Sequence, residues 1–303
     1  MSARKVSRQH VVSQVLLKRF TMPETKGGGS RLIPFDLNYP DRHHKLKGSR
    51  ECGWIKDFVA YESGSIEELW GQVERRVPEA FRAVDAGTPF NKPDHVEILR
   101  DLVVLHLVRS HRYREAHQTA VVTVRDRLRR GLTQVYTEEL RREALRETGL
   151  RLADPQALNA FAEKLIESSE PAQDQASGKA FRVSIEEMYR KVRDKVSGWQ
   201  VEVLSPQVGQ FLIGDTPAIT LRKENGELQY GMAVGDATTI VLPLGPGHLL
   251  ALGPQNRSFR IPKDLVDELN AVQILAANRY VYLHPQSGLE SFVKAGVSSR
   301  MGR

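Results

Sequence analysis

Three polar residues stand where side-chain chemistry is readily done. His10 lies in the run His10-Val11-Val12-Ser13-Gln14-Val15-Leu16-Leu17-Lys18-Arg19-Phe20. Imidazole titrates near neutrality, so a histidine tethered beside a core by Leu17 and Phe20 could shuttle protons; its bland reading is an N-terminal residue satisfied by a backbone carbonyl. Arg109 follows an apolar stretch and, with Leu102, His106 and Tyr113, falls on one face of an expected helix, which would direct a cation into an apolar surface. A buried arginine needs a partner, either an internal carboxylate such as Glu67, Glu68 or Glu74, or a ligand phosphate. Asp215 ends the apolar run Phe211-Leu212-Ile213-Gly214 and precedes Thr216-Pro217. A carboxylate at a strand end can hold a metal or serve acid–base chemistry, and Asp before Thr-Pro is equally a turn former.

Other chemistries lack their signatures. No Walker or dinucleotide glycine fingerprint occurs, so a nucleotide cofactor is not expected, and there is no Gly-x-Ser-x-Gly, His-Glu-x-x-His or Cys-x-x-Cys. Glu24-Thr25-Lys26 has the Glu-x-Lys form of restriction-type nucleases but no strand-borne Asp before it. His43, His44 and Cys52 are ligand types that suit zinc, although adjacent histidines in a polar loop are usually just exposed.

Charge points to an anionic partner. Residues 1–50 hold eleven Lys and Arg against three acids, net +8, while the whole 303-residue chain is +7, so the remainder is about −1. Phosphates reward such clustering through counterion release, which favours nucleic acid as the partner; RNA is the expected partner ahead of DNA. The single cysteine rules out an intramolecular disulfide framework. No apolar run approaches a membrane span, the longest being residues 102–108, and the N-terminus lacks a secretory apolar core. The expectation is a cytoplasmic protein with no membrane partner.

The elements that must hold these residues fall into three parts. Residues 1–64 form a basic segment with a short helix or extended stretch at 12–20, a Gly-rich connection, one strand at 31–37 and a polar loop at 38–53. Residues 65–197 read as a helical lobe. Its first helix opens at a Ser65–Glu68 capping box, a long one runs from Pro93 to about Arg130, and others cover 138–147, 154–168 and 184–196, the last with a Ser184–Glu187 box. Residues 198–303 alternate in the manner of strands, near 200–204, 210–213, 218–221, 228–232, 238–242 and 248–252, then a helix from Pro262 and a strand at 279–283. The tail beyond Pro285 is expected to be loosely ordered. This predicts an α+β fold: a mainly helical block beside a mostly antiparallel sheet that joins the C-terminal third to the N-terminal strand.

These segments resemble the bacterial family catalogued as domain of unknown function 4238. Its early His, paired Leu and Phe look like His10, Leu16, Leu17 and Phe20, with Ser13 standing where the family has Pro. Its strand ending in Asp before a Pro is similar to residues 211–217, its Pro-Leu-x-Pro turn to residues 243–246, and an Asn opening its final segment to Asn270. In the helical middle the likeness rests on an Arg like Arg109. The resemblance implies a fold and a set of positions without naming an activity.

Two functional expectations follow. In the first, the chain is a nuclease-like hydrolase: His10 is the acid or base, Asp215 orients it or holds a divalent cation, Arg109 offsets charge on a phosphoryl oxygen, and Lys18, Arg19, Arg31, His106 and Asn270 bind substrate. In the second, the basic segment of a non-enzymatic module grips nucleic acid or an acidic partner by charge alone.

Overall fold

The structure, a computed structural model, describes residues 7–23, 29–61, 63–224 and 226–301. Glu24-Thr25-Lys26 lies outside them. β1 (Arg8–His10) pairs antiparallel with β5 (Trp54–Lys56), and between them run α1 (Gln14–Leu17), β2 (Met22–Pro23), β3 (Ser30–Asp36) and β4 (Lys47–Gly48). The helical block comprises α2 (Ser63–Asp85), α3 (Pro93–Val108), α4 (His111–Arg130), α5 (Thr137–Thr148), α6 (Pro155–Ser168), α7 (Glu170–Ser177) and α8 (Lys179–Lys195). β6 (Gln200–Pro206), β7 (Ile213–Gly214), β8 (Ile219–Glu224), β9 (Glu227–Tyr230), β10 (Thr239–Gly245), β11 (His248–Gly253), β12 (Arg257–Ile261), α9 (Lys263–Ala276), β13 (Tyr280–Leu283) and α10 (Glu290–Met301) complete the chain. The α+β class holds.

The strands divide between two larger sheets instead of forming the single one expected. One has the order β12-β6-β11-β10-β8-β9; the other is β2-β3-β13-β7, with β4 also on β3. The N-terminal strand does pair with the closing strand, Phe35 facing Val281, but both lie apart from the six-stranded sheet. Residues 210–213, expected as a full strand, are responsible. Side chains satisfy this backbone: the Leu212 N–H donates to Asn270 Oδ1 (3.0 Å) and the Gly214 N–H to Gln273 Oε1 (2.9 Å). Pairing is antiparallel except where β12 runs parallel to β6, a strand whose sparse apolar content hid it.

Burial on both faces explains the near-continuous apolar runs of β10 and β11. Ile240, Leu242, Leu250 and Leu252 point to the helical block, where they meet α3 and α8, while Val241, Leu249 and Ala251 point the other way onto Val266, Leu269 and Val272 of α9. α3 is the middle of the block, buried on almost every side from Ile98 to Val108. The tail is ordered, contrary to expectation, because Val293 and Val297, one helical turn apart, close α10 onto Ile274 and Val281.

The expected helix from Pro93 to Arg130 is broken at Arg109 and Ser110. Ser110 has extended dihedrals (φ −126°, ψ 152°); its hydroxyl donates to the Leu107 carbonyl (2.8 Å) and accepts from the Tyr113 N–H (3.2 Å), ending α3 and capping α4 at once. Tyr113 therefore leaves the face shared by His106 and Arg109. Two expected helix starts also move: α2 opens at Ser63, two residues before Ser65, and α8 opens at Lys179, so Ser184 is a mid-helix residue bonded to the Tyr113 hydroxyl. Asp154 does cap α6, accepting from the Ala157 N–H at 2.8 Å.

Gly53 ties the N-terminal segment to the second sheet. Its carbonyl accepts from the Val11 and Val12 N–H groups (2.8 and 3.1 Å), and its N–H donates to Tyr282 Oη (2.9 Å). Its φ is +66°, and an added Cβ would fall 2.8 Å from Leu17 Cδ1 and 3.0 Å from Val12 Cβ. Gly53→Ala is expected to cost about 2–3 kcal/mol through positive-φ strain and overpacking. A urea midpoint equal to wild type would refute this.

Candidate functional site

Where the N-terminal segment crosses α2 and α3, polar side chains meet inside the protein. Glu67, Trp70 and Glu74 recur at three- and four-residue spacing, so they share one face of α2, while Glu68 turns outward to Arg75. His106 and Arg109 end α3, and Gln9, His10 and Ser13 come from β1 and the turn after it. Ser13 is extended, its carbonyl taking the Leu16 and Leu17 N–H groups at 3.1 Å. Its hydroxyl donates to Glu74 Oε1 (2.6 Å) and accepts from Arg109 Nη2 (2.6 Å), and Arg109 Nη2 also reaches Glu74 Oε1 (2.7 Å). The guanidinium lies 4.9 Å from the centre of the Trp70 ring. Glu74 is thus the partner Arg109 required, and the internal carboxylate takes the place of a ligand phosphate.

Backbone groups dictate the His106 tautomer. The Ser13 N–H can only donate, so Nε2 (3.1 Å) carries the lone pair; the Leu102 carbonyl can only accept, so Nδ1 (2.8 Å) carries the hydrogen. Burial, reinforced by the Arg109 charge, pushes the His106 pKa down to about 3. With both nitrogens occupied and no solvent exposure, His106 is a structural wedge and not the substrate-binding residue expected. The flanking carboxylates are driven apart. Burial raises Glu67, helped by the Glu74 charge against that of Arg109, and the net shift is upward. At Glu74 burial also pulls upward, but the Arg109 charge and the bonds from Ser13 and Arg109 outweigh it, and the net shift is downward.

His10 is the network's half-exposed member. Burial and then the Arg109 charge lower its pKa, partly offset by a hydrogen bond to the Arg50 carbonyl and by Glu74, so the ring is neutral near pH 7. The Gln14 amide lies 3.3 and 3.4 Å from its two ring nitrogens. A neutral imidazole oriented by a backbone carbonyl has the form of a general base.

The structure brings His10 within range of the Arg109 charge and leaves Asp215 out of the hydrogen-bonded network. Asp215, 3% exposed, accepts from the Asn278 N–H (2.7 Å) and the Arg279 and Tyr280 N–H groups (both 2.9 Å), so both oxygens are occupied by backbone donors that also disfavour a cation. Its partners lie more than sixty residues on, not in its own turn. Among the described residues, none of its bonds reaches His10 or Arg109. Asn270, 1% exposed, holds Leu212 and Gln210 through both ends of its amide, so it too braces backbone. Gln273, one turn later on α9, repeats the device on Gly214 and Pro217; its three-residue spacing from Asn270 was the available signal. Arg19 is clamped by Asp85 (2.8 and 2.5 Å), the Leu244 carbonyl (2.6 Å) and the Phe81 ring. Arg31 faces Glu51 at 3.6 Å, and Lys18 is exposed. His44 packs on Phe35 with centroids 4.0 Å apart, and burial lifts the Cys52 thiol to about 12. Among the described residues no three His, Cys, Asp or Glu side chains converge as a metal site.

A family model described as Protein of unknown function (DUF4238) matches residues 8–287. The chain belongs to that family. No curated protein and no solved structure matches it significantly. The span of the DUF4238 match takes in both constellations, the His10–Arg109 network and the Asp215–Asn270 brace. Among the described residues no helix is long and apolar enough to cross a membrane.

Acid should weaken the fold through His106. Above its ordinary value of 6.5, folded and unfolded states are both neutral and its contribution is complete. As pH falls below 6.5 the unfolded chain takes up a proton that the folded one refuses, so stability drops by up to about 1.4 kcal/mol per pH unit until the folded value is reached. Glu67, raised, works in the opposite sense as pH falls toward 4.5. Urea titrations at pH 7 and pH 5 should therefore show a loss that His106→Gln reduces. Equal slopes for the two proteins would contradict the assignment.

Proposed function

We propose that the chain is a phosphodiester hydrolase acting on RNA, with His10 as its acid–base group. The observation that carries this reading is the outward face of the β1–β5 ribbon. Residues directly opposite in an antiparallel pair share a face, and the register sets Arg8 against Lys56 and His10 against Trp54. Arg8 and Lys56 are exposed, His10 and Trp54 half-exposed, and Gln9 is turned inward. Two cations suited to phosphates, an indole on which a base can stack and a neutral imidazole therefore share one small surface. The Arg8 guanidinium lies 4.6 Å from the Trp54 ring centre.

RNA is favoured because its 2′-hydroxyl is an internal nucleophile. His10 removes that proton as the oxygen attacks phosphorus, the bond to the 5′-oxygen breaks, and the imidazolium returns the proton to the leaving oxygen, giving a cyclic phosphate and a 5′-hydroxyl. Arg109 acts from behind: after burial, its charge helps keep His10 neutral, and its bonds to Ser13 and Glu74 fix the turn that follows His10. Asp215 has no part in this scheme, and no divalent cation is needed for it.

Labelled RNA and DNA incubated with the protein, with and without chelator, provide the test. RNA cleavage should survive chelation, and His10→Ala should lower it about 10²–10⁴-fold. Identical background from wild type and His10→Ala would defeat the hydrolase reading. A second reading, an RNA-binding module without turnover, draws support from the way Arg109, Asp215 and Asn270 all engage the protein itself. It predicts RNA affinity that falls steeply with salt and with Arg8→Gln and Lys56→Gln, while His10→Ala leaves it unchanged.

A further inference from the structure

We infer that the groove between the helical block and β8 is a binding site for a small amphipathic anion, an apolar body ending in a carboxylate. This site is separate from the β1–β5 ribbon and does not depend on its activity. The groove encloses about 630 Å³, within the range of small-molecule sites. Its walls are apolar: Leu107 and Val108 from the end of α3, Met188 and Val192 from α8, Ile219 from β8 and Val234 beyond β9. Met188 and Met232, one on either side, give it adaptable surfaces.

Its charged residues have one sign. Arg112, Lys191 and Lys195 line it, and among the described residues no Asp or Glu does so. Lys191 and Lys195 are four residues apart on α8, on the face that carries Met188 and Val192, so two ammonium groups edge the apolar wall. Lys191 is held only loosely, 3.7 Å from Glu187, with most of its side chain exposed. Arg112 spans the opening, donating from α4 to the Gly231 carbonyl.

Thr216 supplies the independent observation. It is 4% exposed, and its Oγ1 is shielded from solvent without a hydrogen-bond partner among the described residues. Buried hydroxyls are ordinarily satisfied, so an orphan on the wall of a cavity marks a place for a ligand acceptor. Thr216 belongs both to this groove and to an adjoining one of about 530 Å³ that shares Arg112 and Ala276. Its neighbours explain why it is fixed there: Asp215 grips the backbone of 278–280, and the Pro217 carbonyl accepts from Gln273 Nε2 at 3.0 Å. The Asp-Thr-Pro run thus anchors its two outer residues and leaves the middle one on the groove.

The test is titration of the full chain with a dansyl-labelled fatty acid, followed by displacement with decanoate, decanol and decylamine. Saturable uptake of one probe per chain is expected, with decanoate displacing it at concentrations about tenfold lower than decanol or decylamine. Lys191→Gln with Lys195→Gln, both at exposed positions, should weaken decanoate about tenfold and leave decanol unchanged. Thr216→Val, which keeps the shape and removes the hydroxyl, should weaken decanoate too, with an unchanged melting temperature showing that the fold is kept. Absence of saturable uptake, displacement by decanol as good as by decanoate, or a lysine double variant that binds like wild type would each overturn the assignment.

Discussion

Arg109→Ala is expected to lower stability by about 3 kcal/mol, because it leaves a partly buried carboxylate and a buried hydroxyl without their shared donor. Arg109 is 2% exposed and its Nη2 serves both Ser13 Oγ and Glu74 Oε1. A urea denaturation series measures the loss. The double replacement Arg109→Met with Glu74→Leu should recover part of it, since an ion pair replaced by apolar side chains of similar bulk gives up little net free energy, while the Ser13 hydroxyl loses both partners. Recovery distinguishes an uncompensated charge from simple loss of packing on Trp70. The same substitutions carry a second readout: the Arg109 charge helps hold the His10 pKa down and opposes burial at Glu74. In Arg109→Met the His10 ring should titrate at higher pH, followed by its proton resonance, and Glu74 should protonate more readily. A cost below about 1 kcal/mol with an unmoved His10 titration would mean that the network is neither a stability element nor an influence on the histidine.

What could be read from the chain, and what could not, separates by the range of the interaction. Asp154 before Pro155 specifies a helix start locally, and the start came where it was expected. The apolar runs at 238–242 and 248–252, expected as strands, are likewise legible without reference to anything distant, although the first continues through Pro243, expected in the turn, to Gly245. The break at Ser110 was hidden because apolar spacing continues through residues 102–113, and only the hydroxyl reaching both Leu107 and Tyr113 reveals a stop and a start. The partner of Arg109 could be read only as an internal carboxylate such as Glu67, Glu68 or Glu74, or a ligand phosphate; the choice of Glu74 depends on where the N-terminal turn crosses α2 and on Ser13 filling the gap between them. Ser13 itself, noted as standing where proline is usual, contributes an N–H to His106 and a hydroxyl to Glu74, neither of which proline possesses. Asp215 and Asn270 illustrate the other limit. Their types suit chemistry, but the groups they bind lie about sixty residues away, and no local pattern distinguishes a carboxylate facing a ligand from one facing a distant backbone turn.

Asp215→Ala should cost about 4 kcal/mol or more, the other large effect. Three N–H groups between α9 and β13 point at one carboxylate, at 2.7–2.9 Å, in a place that is 3% open to solvent. Removing it leaves donors that water reaches poorly, and each unsatisfied buried donor costs about 1–3 kcal/mol. The Asp215 N–H also donates to the Tyr280 carbonyl, a bond that alanine keeps, so the loss measured is that of the carboxylate. Asp215→Asn keeps the shape and one carbonyl acceptor while turning an NH₂ toward at least one donor, so it should lie between alanine and wild type. The order wild type, asparagine, alanine in urea midpoints is the expected result. Chelator distinguishes this brace from a metal centre: a carboxylate already filled by backbone donors predicts the same midpoint with and without EDTA, whereas a metal ligand predicts that EDTA lowers the wild-type midpoint toward that of Asp215→Ala. If wild type and Asp215→Asn denature together, the three bonds do not hold the α9–β13 turn. If they separate in the expected order while the proposed His10-dependent cleavage persists in Asp215→Asn below its midpoint, the brace and the β1–β5 ribbon are independent parts of one fold.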